Sequence, residues 1–155
     1  MEPSLKKKAA TQPDKLHRHH LPFYMQLPMV ISFIVVSMVG QIMWTAAVNL
    51  SRVDTGWCGV GFAAGIVIGF IQGKWTGRMW ERDYMRVLTR EITFWDAKGA
   101  RGTTIFVVLA LGMPVLFGLL VRQTYGILAG LQSYVFGFVG GMNVALALWV
   151  RRLPR

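Results

Sequence analysis

Three histidines in four positions, HRHH with His17, His19 and His20, are the residues of this chain best equipped for chemistry. Imidazoles so close together can ligate a metal ion, and a pair inside a helix bundle can hold a haem iron from both sides. All three lie upstream of the first long apolar stretch, so no haem can be bound by two of them within a bundle. The choice is between a metal site outside the apolar region and a basic patch beside it, and the basic patch is favoured. Cys58 is the single cysteine, which excludes an internal disulfide and a cysteine metal site. No serine or cysteine nucleophile can be matched to a histidine base in the same layer of the chain. The expectation is therefore no catalytic residue, no metal, no cofactor and no enzyme activity.

Carboxylates and lysines fare no better as working groups. Residues 27–50, 57–73, 103–121 and 127–150 contain no Lys, Arg, Asp or Glu. Transporters and proton relays keep ionisable residues inside their spans despite the cost, because coupling needs them. The polar groups left in these stretches are Gln41, Gln72, Gln132, Asn143 and several hydroxyls. Buried amides of this kind join helices more often than they contact a substrate. One alternative is kept: a small oligomeric channel or transporter in which Gln41, Gln72 or Gln132 lines a path.

The elements that hold these residues follow from composition. The chain has 155 residues, of which 54% are hydrophobic and 15% charged, with a mean hydropathy of +0.43. Soluble domains carry about 25% charged residues. A hydrocarbon core of about 30 Å is crossed by roughly 20 apolar residues at 1.5 Å each. Four transmembrane helices are expected, at about 27–50, 57–75, 103–121 and 127–150, making an all-α membrane domain over 27–150. Residues 1–26 are then a solvated basic tail and residues 151–155 a second one.

Of the 17 Lys and Arg, 15 fall on one side of that arrangement: five in residues 1–26, seven in 74–102 and three in 151–155. Only Arg52 and Arg122 fall on the other. Basic residues mark the cytoplasmic side, so both termini are expected in the cytoplasm. The net charge of +10 is thereby read as topology, with the lipid bilayer as partner and no nucleic acid.

One line of residues is unusual. Gly61, Gly65, Gly69, Gly73 and Gly77 recur every fourth position through the second span. Each interior glycine weakens a helix by about 1 kcal/mol relative to alanine. In lipid, however, helices associate by close packing, and small residues let backbones approach. The stripe is read as a docking surface for another helix. The fourth span offers Gly130, Gly137, Gly140 and Gly141 with Ser133, and the first offers Ser32, Ser37, Gly40 and Thr45. A helix of the same chain is the favoured partner; self-association, or membership of a larger membrane complex, remains open.

Residues 78–95 are expected to form a cytoplasmic amphipathic segment between the second and third spans. Arg78, Arg82, Arg86 and Arg90 recur every four residues, and Trp80, Tyr84, Leu88 and Ile92 do the same about 200° away. A helix lying on the cytoplasmic leaflet, its arginines against lipid headgroups and its aromatic face in lipid, fits this pattern; the alternatives are a solvated connector whose charges only satisfy the topology rule, and a short hairpin.

The stretches GIVIGFIQGKWTGRMWERD and YVFGFVGGMNVALALWVRR resemble the CcdC-like family of small integral membrane proteins. The first is a glycine-spaced span with a basic, aromatic exit, and the second a small-residue span with a basic end. The resemblance covers about half the chain and implies four spans in a bacterial cytoplasmic membrane, with no catalytic residues to carry over. The long YMRVLTREITFWDAKGARG segment departs from the short connection expected of that family. The function expected is non-catalytic, a structural or accessory component of the membrane.

Overall fold

The computed structural model describes residues 16–18, 21–50, 55–93, 96–97, 101–102, 104–109, 111–112 and 125–155. Three long helices dominate: α1, Leu27–Leu50; α2, Thr55–Leu88; and α3, Tyr125–Arg152. No strand occurs among the described residues. All three helices are long and apolar enough to cross a membrane. The expected third span, 103–121, is helical over 104–109 and at 111–112, and its remainder lies outside the described residues.

The helices form where sequence favours them. A single 3-10 turn, Phe23–Met25, closed by the Met25 amide on the Pro22 carbonyl at 2.8 Å, leads into α1. Pro28 sits in the first turn of α1, where its missing N–H costs nothing. The 34 residues of α2 extend about 51 Å, well beyond a hydrocarbon core of about 30 Å.

That length corrects one expectation. Residues 78–88 are not a separate amphipathic segment; they continue α2 without a break. The first charge, Lys74, ends the apolar stretch, but helical hydrogen bonds do not stop where apolar side chains do. A helix collinear with a span cannot lie flat on a leaflet.

The end of α2 is closed by its own backbone. The Glu91 amide bonds the Arg86 carbonyl at 3.0 Å and the Arg90 amide bonds that of Val87 at 3.1 Å. This is the Schellman pattern, which needs a left-handed residue after the last turn. Arg90 holds that place with φ of 58°, a conformation that suits glycine and costs other residues about 1–2 kcal/mol. Arg90→Gly should therefore raise stability in detergent by about 0.5–1 kcal/mol. Unfolding midpoints of the two proteins check this, and a lower midpoint for the glycine variant would contradict the assignment.

α3 is the central helix, packed closely along α2 and also against α1, while α1 and α2 barely touch. Pairings along the chain fix the directions. Gly61 lies against Gly130, Gly69 against Phe138 and Gly77 against Trp149, so α2 and α3 run parallel. Trp44 meets Ala129, Gln41 meets Ser133 and Gly40 meets Phe136, so α1 runs antiparallel to both. One end of the bundle therefore gathers the start of α1, the finish of α2 and the finish of α3.

Candidate functional site

The seam between α2 and α3 is built from the glycine stripe. A methyl group placed on Gly61, Gly65, Gly69 or Gly73 would run into the backbone of α3. The nearest carbonyl oxygens are those of Gly130, Tyr134, Phe138 and Met142. The Gly69 position would come within 2.9 Å of the Phe138 carbonyl carbon, and the Gly65 position within 2.7 Å of the Phe138 nitrogen. The fit is reciprocal: a methyl on Gly137 would meet Phe62 backbone at 3.0 Å, and one on Gly141 would meet Ile66 Cα at 2.8 Å. Four-residue steps turn the stripe by about 40° each. At Gly77, where it has turned furthest, the neighbour is no longer backbone but the Trp149 ring, at 2.8 Å.

The small residues of α1 do not meet this stripe. Gly40 accommodates the Phe136 ring, and the Ser37 hydroxyl donates to the Phe136 carbonyl, close to Gly140. Gln41 donates to Ser133 at 3.2 Å and to Thr45 at 2.9 Å, and the Trp44 indole donates to the Ala129 carbonyl at 3.1 Å. The bonds from Ser37 and Trp44, and that from Gln41 to Ser133, join α1 to α3, while that to Thr45 stays within α1. Gln72 and Asn143 are buried and bond within their own helices, to Thr76 at 3.4 Å and to the Val139 carbonyl at 2.8 Å. Gln132 is partly buried.

The second locality is the basic end of the bundle. Trp80 and Tyr84 are buried there with Leu16, Leu21, Met25, Val30, Leu146, Val150 and Leu153, and Ile92 packs against the same cluster. The aromatic face of residues 78–92 is thus covered by the protein's own ends rather than offered to lipid; the Leu88 side chain lies outside the described residues. Residues 16–25, expected within a solvated tail, supply three of the covering side chains. Residues 1–15 lie outside the described residues.

Arg18 fastens this segment to the end of α3. Its backbone amide bonds the Pro154 carbonyl at 3.0 Å, its Nε the Leu153 carbonyl at 2.9 Å and its guanidinium the Arg151 carbonyl at 2.5 Å. A cation on the carbonyl end of a helix satisfies acceptors that have no helical partner and complements the helix dipole. The His17 Nδ1 lies 3.0 Å from the Arg155 carbonyl. His19 and His20 lie outside the described residues. Burial, and secondly the neighbouring Tyr84 phenol, hold the Tyr24 hydroxyl above its ordinary range.

Arg78, Arg82, Arg86 and Arg90 are all exposed. They do not act as one face at one level, because each four-residue step along α2 moves about 6 Å outward. Arg86 pairs with Glu91 at 3.4 Å across the turn, both exposed. Two residues that the sequence presents only as topology charges, Lys74 and Arg152, gather with Arg78 nearer the bundle. Lys74, Arg78 and Arg152 border a groove of about 350 Å³ between α2 and α3, with Trp149 at its side. Among the described residues no group of His, Cys, Asp and Glu could hold a metal ion.

The fold and these sites define an all-helical protein with three helices of membrane-spanning length and apolarity. Comparison with protein-family models, curated proteins and solved structures finds no match to the chain.

Proposed function

We propose that the chain is a four-span integral membrane protein of a bacterial cytoplasmic membrane, with both termini in the cytoplasm and a non-catalytic, structural or accessory role. In this reading the glycine stripe is a packing device that locks α2 to α3 within one chain.

The observation that carries the reading is the parallel pairing of α2 with α3. Two parallel spans require the chain between residues 88 and 125 to cross back. Residues 102 and 104–109 run in the required direction. A methyl on Gly102 would meet the Trp75 ring at 2.7 Å, whereas the Phe106 ring stacks on Phe138, level with Gly69, at 5.9 Å. Residues 16–18 and 151–155 bond at one end, which an even number of crossings explains. The charge asymmetry assigns that end to the cytoplasm.

Cysteine labelling in intact cells tests the topology, in a Cys58→Ser background. Thr55→Cys should react with an impermeant thiol reagent, while Thr89→Cys and Arg155→Cys should react only after lysis. Labelling of Thr89→Cys in intact cells would reverse the orientation, and labelling of Thr89→Cys but not Arg155→Cys would break the even count. Vesicles holding the purified chain should leak ions no faster than empty ones; a protein-dependent conductance would favour the channel alternative.

A further inference from the structure

The groove between the ends of α2 and α3 is polarised along its length, because the two helices run parallel. From the middle of the bundle outward, α2 presents Phe70, then Lys74, then Arg78, and α3 presents Ala145, then Leu148, then Arg152. Its inner walls are apolar, with Leu148 exposed, and its outer rim is cationic. An antiparallel pair would have set the charged end of one helix beside the apolar middle of the other.

Three further features bear on what fills it. None of Lys74, Arg78 and Arg152 is within ion-pair distance of a carboxylate among the described residues, where the ion pairs are Arg86–Glu91 and Arg101–Asp96. Glu81 also borders the groove, leaving a net of two positive charges on its rim. The Lys74 ammonium is held over the Phe70 ring, 4.7 Å from its centroid, at the join between the apolar and cationic parts. The indole nitrogen of Trp149 is buried and has no acceptor, a donor left unused at the groove's side.

We infer that this groove binds one anionic phospholipid, its phosphate among Lys74, Arg78 and Arg152 and an acyl chain along Phe70, Ala145 and Leu148. Charge complementarity selects an anionic headgroup over a zwitterionic one, whose own cation would face the same rim. The polarity gradient selects a lipid over a free anion, which would leave the apolar walls uncovered. Arg82, Arg86 and Arg90 lie farther out along α2 and take no part. The inference rests on the membrane reading above, but its test is separate: a chain that labels as proposed and ignores anionic lipid overturns the groove alone.

The full chain in neutral detergent is titrated with phosphatidylglycerol, phosphatidylcholine and inorganic phosphate. Thermal midpoints and native mass spectrometry report binding. Phosphatidylglycerol should raise the midpoint and remain bound one per chain, phosphatidylcholine should bind at least ten-fold more weakly, and inorganic phosphate should shift nothing at equal concentration. Lys74→Gln/Arg78→Gln/Arg152→Gln should weaken phosphatidylglycerol binding roughly 10- to 100-fold, since each basic residue contributes a several-fold factor. Arg82→Gln/Arg86→Gln/Arg90→Gln, the same change of charge outside the groove, should stay within about three-fold of wild type. Equal loss in both triple variants, equal binding of the two lipids, or an equal shift with inorganic phosphate would each overturn the inference. Should the groove variant fail to fold, the wild-type ranking of the three probes decides.

Discussion

Gly69→Ala is expected to destabilise the protein, while Gly59→Ala, ten residues earlier on the same helix, is expected to leave it unchanged or stabilise it. A methyl at position 59 meets nothing within 4 Å, whereas one at position 69 is driven into the Phe138 backbone. In an open helical site alanine gains up to about 1 kcal/mol over glycine. At position 69 the obstacle is main chain rather than a side chain that could swing aside, so the helices must separate. Overpacking of this kind costs roughly 1–3 kcal/mol for a small addition, and Gly69→Leu should exceed that range. Val67→Leu, at a position 58% exposed on the far side, should stay within about 0.5 kcal/mol. Thermal unfolding of the four variants in one detergent gives the comparison. A loss at position 69 no greater than at position 67 would mean that the stripe faces outward.

Trp80→Ala should be comparably severe. Trp80 is 2% exposed, and its ring lies 5.6 Å from that of Tyr84 inside the cluster that joins both ends of the chain. Removing a buried tryptophan costs roughly 3–5 kcal/mol, from lost burial and the cavity left behind. Arg82→Ala, two residues on and exposed, should change stability by no more than about 0.5 kcal/mol. The contrast separates two accounts of the same periodicity. Were the aromatic face immersed in lipid, detergent would cover the site and Trp80→Ala would be mild. The same variant should also free residues 16–25 to proteolysis, because Leu16, Leu21 and Met25 pack in that cluster.

The periodicities of this chain were legible in its sequence, but the surfaces covering them were not. Glycine at every fourth position marks a face on which backbones meet, yet Gly130, Gly137 and Gly141 of α3 and Ser37 and Gly40 of α1 are equally plausible partners by composition. What separates them is register in space, since Phe136 occupies Gly40 while Phe138 presents bare backbone to Gly69. The face of Trp80 and Tyr84 was equally plain, but its cover comes from residues some 60 positions away on either side, and the N-terminal part, Leu16, Leu21 and Met25, has no helical periodicity of its own. Charge misled in one place. Lys74 and Arg78 end an apolar run and look like the end of a helix, although they contain nothing that breaks one. Arg90 gave no signal, because a left-handed position is announced by glycine or asparagine and here is held by neither. The groove of Lys74, Arg78, Trp149 and Arg152 depends on α2 and α3 being side by side in this register; four crossings imply that they run parallel, but no local pattern makes them neighbours.

Parallel packing of α2 and α3 within one chain is tested most directly by a disulfide at the start of the seam. The Trp57 Cβ lies 3.4 Å from the Cβ position of residue 130, close to the roughly 3.5–4.5 Å that a disulfide spans. Trp57→Cys/Gly130→Cys, in a Cys58→Ser background and oxidised in the native membrane, should yield a monomer in which both thiols are consumed. Separation after cleavage between the two positions would then require reductant. Dimers linked through the same cysteines, or two thiols that stay free under oxidant, would show that the stripe is met by another chain or that α2 and α3 do not run side by side in parallel.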